Sequence, residues 1–176
     1  MEKELEFYSL FSAQKNKEAV LKSNFSSDFF DVFSDNVNFE IPVKTKIVLG
    51  KTMYDKIDFN DGINFVISEQ FLKILTENKL TGWKTYPVEI KNTDKKYYGF
   101  QIIGKSGPLK EKKEQGFHIG YEFEKSSWDG TDFFSPKNTH LRFLSEKAKE
   151  VLNCEKITNI KIENIKKIEN YSFGEE

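Results

Sequence analysis

One stretch of this chain repeats itself. Ile67-Ser-Glu-Gln-Phe-Leu-Lys-Ile-Leu-Thr-Glu-Asn-Lys-Leu-Thr-Gly-Trp-Lys aligns without a gap on Leu144-Ser-Glu-Lys-Ala-Lys-Glu-Val-Leu-Asn-Cys-Glu-Lys-Ile-Thr-Asn-Ile-Lys, each position displaced by 77 residues as Ser145 is from Ser68. In both copies a serine stands where its hydroxyl can accept a hydrogen bond from a helix's first free amides, and the glutamate after it suits the positive end of the helix dipole. Phe71, Ile74, Leu75 and Asn78 then fall at helical spacing, and a β-branched segment follows. Short amphipathic helices joined to apolar strands bury their stripe on a sheet and do not form a bundle. The match has two readings, a true internal duplication or the generic chemistry of helix starts, and both give the same local structure.

The expected class is therefore α+β, a mainly antiparallel sheet with hairpins flanked by short amphipathic helices. With 176 residues the chain is long enough to bury a core without disulfides or metal, and it reads as a single domain over 1–176. Its parts are an N-terminal portion (1–60), a first helix–strand unit with a hairpin (61–125) and a second helix–strand unit (126–176). Leu5–Phe11 reads as a first strand, Gln14–Ser23 as a polar run, and Ile41–Leu49 as a strand with Pro42 confined to its start or an edge. Tyr54–Gly62 reads as a turn. Tyr86, Val88 and Ile90 share one face of a strand, and the turn Asn92–Lys96 returns the chain through Tyr97–Ile103. Gly104–Gly116, with Pro108 and several lysines, reads as a mobile loop; Phe117, Ile119, Tyr121 and Phe123 then alternate with polar residues as a strand with one wet face.

A net charge of −1 gives no global field to attract nucleic acid or an anionic membrane. Charge is nevertheless segregated. Ser26–Glu40 holds Asp28, Asp31, Asp35 and Glu40 with no Lys or Arg, while Lys105–Lys113 and Lys156–Lys167 are lysine-rich. The single cysteine, Cys154, allows neither an internal disulfide nor a thiolate metal cage, which fits a cytoplasmic protein. No signal-peptide pattern and no apolar run of membrane-spanning length is seen. No cofactor, metal, nucleic-acid or membrane partner is expected.

The residues able to do chemistry are few. His118 and His140 are the only histidines, and neither sits in a motif; His118 lies on the polar face of its strand, which favours a solvent-facing structural role. Cys154 lies near the end of the second helix, where the dipole disfavours a thiolate. Gly99-Phe-Gln-Ile-Ile-Gly-Lys-Ser satisfies the letters of a phosphate-binding loop. Its interior, however, is made of strand formers, and Gly107-Pro108 follows where a helix should open, so nucleotide binding is rejected there. In Ser126-Ser-Trp-Asp-Gly-Thr-Asp-Phe-Phe, two carboxylates are too few for a calcium site. Asp129 and Asp132 are expected to bond within their own turn around Gly130, with Trp128, Phe133 and Phe134 as anchors.

Several of these pieces occur together in an order that resembles a family. They are Phe65-Val-Ile-Ser-Glu-Gln-Phe-Leu-Lys-Ile-Leu, Leu80-Thr-Gly-Trp-Lys-Thr-Tyr-Pro-Val-Glu-Ile, Tyr97-Tyr-Gly-Phe, Trp128-Asp-Gly-Thr-Asp-Phe-Phe, and Leu144-Ser-Glu-Lys-Ala-Lys-Glu-Val-Leu with Ile157-Thr-Asn-Ile. The chain is similar to the immunity proteins of bacterial polymorphic toxin systems, in the group long described as a domain of unknown function with repeated Ser-Glu helix starts and a Trp-x-Gly-x-Asp loop. The resemblance spans roughly residues 58–161. Where the family has Thr-Gly after the second helix this chain has Thr158-Asn159, and the Cys-x-x-Cys pairs of some members are absent.

The resemblance implies a cytoplasmic protein that binds and neutralises a cognate toxin domain by occluding it. Asp28, Phe29, Phe30, Asp31, Phe33 and Asp35 are the first candidates for such contact, since an acidic patch can meet the basic cleft of a nuclease and rings supply hot spots; core phenylalanines between solvated acids are the plainer reading. The lysine loop Lys105–Lys113 is a second candidate. The alternative function is a small enzyme or ligand-binding domain using His118, His140, Asp129 and Asp132. Oligomeric state is not legible in the sequence.

Overall fold

A computed structural model describes residues 5–24 and 41–167. In chain order the elements are β1 (Phe7–Ser12), β2 (Val20–Ser23), β3 (Val43–Leu49), β4 (Lys56–Asp58), β5 (Phe65–Ser68), α1 (Glu69–Glu77), β6 (Trp83–Ile90), β7 (Tyr97–Ile102), β8 (Gly104–Ser106), β9 (Lys110–Glu114), β10 (Phe117–Glu122), a 3-10 turn (Lys125–Ser127), β11 (Phe133–Pro136), β12 (Phe143–Ser145), α2 (Glu146–Cys154) and β13 (Ile160–Asn164). The α+β class holds. The strand pairings are antiparallel except β3/β6 and β8/β11, so the sheets are mixed and more of the chain is strand than the sequence suggests.

Both serine caps form as read. Ser68 Oγ accepts from Phe71 N at 3.1 Å and Ser145 Oγ from Ala148 N at 3.2 Å, opening two helices of 9 residues each. Such helices are too short to be stable alone and depend on the stripe they bury, Phe71, Ile74 and Leu75 in α1 and Ala148 and Leu152 in α2.

The repeat extends well past the helices. Lys56 pairs with Ile67 and Phe133 with Leu144; Ser68 pairs with Tyr97 and Ser145 with Phe7; Trp83 pairs with Ile102 and Ile160 with Ser12. β4, β5, α1 and β6 thus recur as β11, β12, α2 and β13, and β1 takes in the second unit the place that β7 holds in the first. Generic helix-start chemistry does not account for a shared register in strands on both sides of the cap. The N-terminal strand therefore belongs structurally to the second unit, beside residues more than a hundred positions later.

The first unit forms a six-stranded sheet, β2-β3-β6-β7-β5-β4, whose edges approach each other at a parallel bridge between Leu21 and Phe59. The second forms the five-stranded sheet β13-β1-β12-β11-β8; the β9/β10 hairpin reaches back to it, Tyr121 N donating to Ile165 O at 2.7 Å. Each sheet curls around its own small core. Ile57, Val66 and Tyr97 fill the first with Leu21 and Phe59, and their 77-shifted or register counterparts Phe134, Phe143 and Phe7 fill the second. Between the units and under both helices lies a shared core, including Phe65, Phe71 and Phe100 from one side and Phe133, Leu144 and Leu152 from the other. Each fully buried ring or leucine there contributes about 2 kcal/mol of hydrophobic stabilisation. Gly99 faces the Tyr86 ring across the β6/β7 pair, and a Cβ at that position would come within 2.0 Å of it.

Four expectations need correction. The Gly104–Gly116 segment is not a loop throughout: β8 docks in parallel on β11, and β9 is a solvated ribbon whose Lys and Glu residues carry no apolar alternation to betray a strand. Phe117 is 76% exposed, because a register shift between His118 and Gly120 breaks the alternation of β10. The Tyr54–Gly62 turn contains β4, and the polar run Gln14–Ser23 contains β2. Residues 25–33, where Phe25, Phe29 and Phe33 fall four apart in the sequence and read as a short helix or ordered loop, lie outside the described residues.

Candidate functional site

The residues carrying the recurring motif converge on two carboxylates. Asp132 Oδ1 accepts from Ser145 Oγ at 2.7 Å, while its Oδ2 accepts from Thr81 N at 2.9 Å and Thr81 Oγ1 at 3.1 Å. Asp132 N in turn donates to Thr81 Oγ1 at 3.1 Å. Seventy-seven residues earlier the arrangement repeats. Asp55 Oδ1 accepts from Ser68 Oγ at 2.7 Å, and its Oδ2 accepts from Thr158 N at 2.9 Å and Thr158 Oγ1 at 2.6 Å; Asp55 N donates to Thr158 Oγ1 at 2.9 Å. Each aspartate belongs to one unit and grips the threonine of the other, so the two clamps are reciprocal, as contacts across a twofold axis are. Each also holds a negative charge near a helix N-terminus through the capping serine. The correction concerns Asp132: it is buried and reaches 51 residues back in sequence instead of closing its own turn. Sequence reasoning missed Asp55, although extending the alignment 13 residues upstream of each serine would have paired it with Asp132.

Asp129 closes its own turn and also ties that turn to β8. Its Oδ1 accepts from Thr131 N at 3.0 Å and Thr131 Oγ1 at 2.6 Å, its Oδ2 from Lys105 N at 2.7 Å, and Gly130 supplies the positive φ the turn needs. Trp128 donates from Nε1 to Thr131 O at 3.0 Å and packs edge-on to Phe7 at 4.9 Å, an anchor as expected.

A second polar cluster breaks the internal symmetry. Lys56, fully buried, stands where the other unit has Phe133; its Nζ meets Ser12 Oγ and Asp58 Oδ1, and Ser12 Oγ donates to Asp58 Oδ2. The amine lies 4.7 Å from the centre of the Phe65 ring, and Arg142, the 77-shifted counterpart of Phe65, lies 4.9 Å from that ring. Burial pulls the Lys56 ammonium down to about 8, against the opposing pull of the Asp58 carboxylate, while the Arg142 charge adds to the drop. Burial likewise lowers Arg142. An amine with a lowered pKa beside a hydroxyl is the chemistry of a base–nucleophile pair. Here, however, the amine is sealed from solvent and the hydroxyl and carboxylate are spent on each other, so the trio acts as an internal ion-pair cluster.

The remaining sequence candidates do not gather at one open site. His118 is half-buried in the β9/β10 hairpin with its ring edge-on to Tyr121 at 4.7 Å, which corrects its solvent-facing reading; His140 is exposed in the loop before β12. Asp132 lies within the interior clamp, so it is not available to them as an exposed carboxylate. Gly99 and Ser106 lie in the successive strands β7 and β8, consistent with the rejected phosphate loop. Cys154 is exposed at the end of α2. A cleft of about 450 Å³ beside β8 and β11 is lined by Ser106, Ser135, Lys137 and Thr139, and among the described residues no carboxylate or imidazole lines it. Asp28, Phe29, Phe30, Asp31, Phe33 and Asp35 lie outside the described residues.

Apolar side chains do reach the surface. Ile41, Val48 and Leu49, in and beside β3, are 58%, 45% and 67% exposed, and Phe117 projects from the β9/β10 turn. No helix among the described residues is long and apolar enough to cross a membrane. Comparison with protein-family models gives no match, and neither does comparison with curated proteins.

Proposed function

We propose that this chain is an immunity protein: it binds a cognate bacterial toxin domain and neutralises it by occlusion, without turnover, in the cytoplasm of a cell engaged in interbacterial competition. The observation that carries the reading is how the motif is used. Ser68, Ser145, Thr81, Thr158, Asp55 and Asp132, the polar residues that recur with the motif, spend their polar atoms on each other and on cap amides. They build a rigid two-unit scaffold, and what the scaffold turns outward is side chains suited to contact. Rigid strands presenting preformed surface favour tight binding because little ordering entropy is lost on association. The Ser-Glu helix starts and the Trp128–Asp132 loop add the resemblance described above.

The test uses the protein encoded beside this chain's gene. Co-expression should relieve that protein's toxicity, and the purified pair should elute as one complex with nanomolar affinity. Continued toxicity in the presence of folded chain would sink the reading. The enzyme or ligand-binding alternative on His118, His140, Asp129 and Asp132 instead predicts thermal stabilisation by a nucleotide or a divalent metal.

A further inference from the structure

Residues 13–24 and 41–52 hold six lysines and one acid, Glu18, in a chain whose net charge is −1. The fold joins these two stretches into one ribbon. β2 and β3 pair antiparallel with Lys22 opposite Lys46, and Lys44 shares the outward face of β3 with Lys46, while Leu21, Val43 and Thr45 point inward. At the ribbon's far end Lys51 N and Thr52 N donate to Lys17 O at 3.0 and 2.8 Å, bringing Lys15, Lys17 and Lys51 beside it. All six lysines are exposed. Glu89, the register neighbour of Lys44 on β6, bounds the patch on that side.

Lysines on an edge strand commonly guard against stray strand pairing. That role does not explain this ribbon: Lys44 and Lys46 lie on β3, which is already paired on both sides, and Val48 and Leu49 stand bare on the same strand. Like charges placed directly opposite, as Lys22 and Lys46 are, cost stability in the free protein and become favourable once an anionic surface lies over them.

We propose that the β2–β3 ribbon is a docking face for an acidic protein surface, with Lys22, Lys44 and Lys46 steering and orienting the partner and Val48 and Leu49 buried at contact. This rests on the proposed function, and makes that face the seat of the toxin. A protein fits better than a nucleic acid because aliphatic side chains lie among the lysines, whereas the six cations include no arginine to fork onto bases or phosphates and the three exposed apolar residues include no ring to stack on a base.

The test is binding of the neighbouring gene's protein to the full chain and to Lys22→Glu/Lys44→Glu/Lys46→Glu, with Lys73→Glu/Lys84→Glu/Lys137→Glu, three exposed lysines away from the ribbon and from Lys105–Lys113, as an equal charge change elsewhere. The ribbon variant should bind at least about tenfold more weakly at about 50 mM salt, with the gap shrinking at about 500 mM, and the control variant should stay within about twofold of the parent. The triple glutamine version of the ribbon variant, which removes the Lys22/Lys46 repulsion and should melt no lower than the parent, should fall between. Equal effects from both glutamate variants, or no effect from either, would overturn the assignment while leaving the complex intact. So would capture of a DNA duplex of about 20 base pairs by the parent and not by the ribbon variant, which would give the face to nucleic acid. If the parent forms no complex, the proposed function falls and this assignment with it.

Discussion

Replacing Asp132 by alanine probes the scaffold at its most connected point. The substitution strips the acceptor from Ser145 Oγ, Thr81 N and Thr81 Oγ1, and only Thr81 has ready access to water. Hydrogen bonds to a charged acceptor contribute about 1.5–3 kcal/mol each, but solvent recovers part of the loss at Thr81, and the Lys147 ammonium at 3.6 Å is too exposed to add much. The net cost should be about 3 kcal/mol, a fall in melting temperature of about 10 °C for a chain of this length. Urea unfolding followed by far-UV circular dichroism gives the number. Because Asp55 repeats the same hydrogen bonds, Asp55→Ala should cost the same within about 1 kcal/mol. A loss below about 1 kcal/mol at either site, or a silent Asp55 beside a costly Asp132, would refute the reciprocal clamp.

Lys56 makes stability depend on pH. An amine lowered from its usual 10.5 to about 8 binds its proton less tightly in the folded than in the unfolded chain, so stability rises with pH between those values. The rise amounts to about 3 kcal/mol at about 1.4 kcal/mol per pH unit, and the difference in unfolding free energy between the parent and Lys56→Met should grow by up to that amount from pH 7 to 10.5. Parallel stability curves for the two proteins would count against a buried ammonium. At Gly99, alanine would drive a Cβ into the Tyr86 ring and should destabilise by about 2–3 kcal/mol; a neutral result in the same unfolding assay would show that the ring moves aside freely.

What could be read from the sequence was what is local. The Ser68 and Ser145 caps, the β6/β7 hairpin and the anchoring of the Trp128 loop follow from residue type and spacing over a few positions. β9 escaped because Lys110–Glu114 has no apolar side to reveal, and β4 because Lys56 and Asp58 look like solvent-facing residues until Ser12 is brought beside them. The bulge that turns Phe117 outward leaves no mark in an alternating string. The clamps were half legible. Asp132 was noticed, but its partners Thr81 and Ser145 are set by the packing of two units, and only the 77-residue spacing, carried upstream to Asp55, contains that information. The lysine ribbon was invisible because its two stretches look unremarkable apart, and pairing β2 with β3 is what concentrates them.

The claim that function here resides in surface contact and not in turnover is tested most directly by stoichiometry. A fixed amount of the neighbouring gene's product, the proposed toxin, is titrated with this chain, and with the His118→Gln/His140→Gln variant, while that product's activity is followed. Occlusion predicts a linear fall that reaches zero near one equivalent, the same for both proteins. Inactivation of excess toxin by a small fraction of an equivalent, lost when the imidazoles are removed, would contradict it.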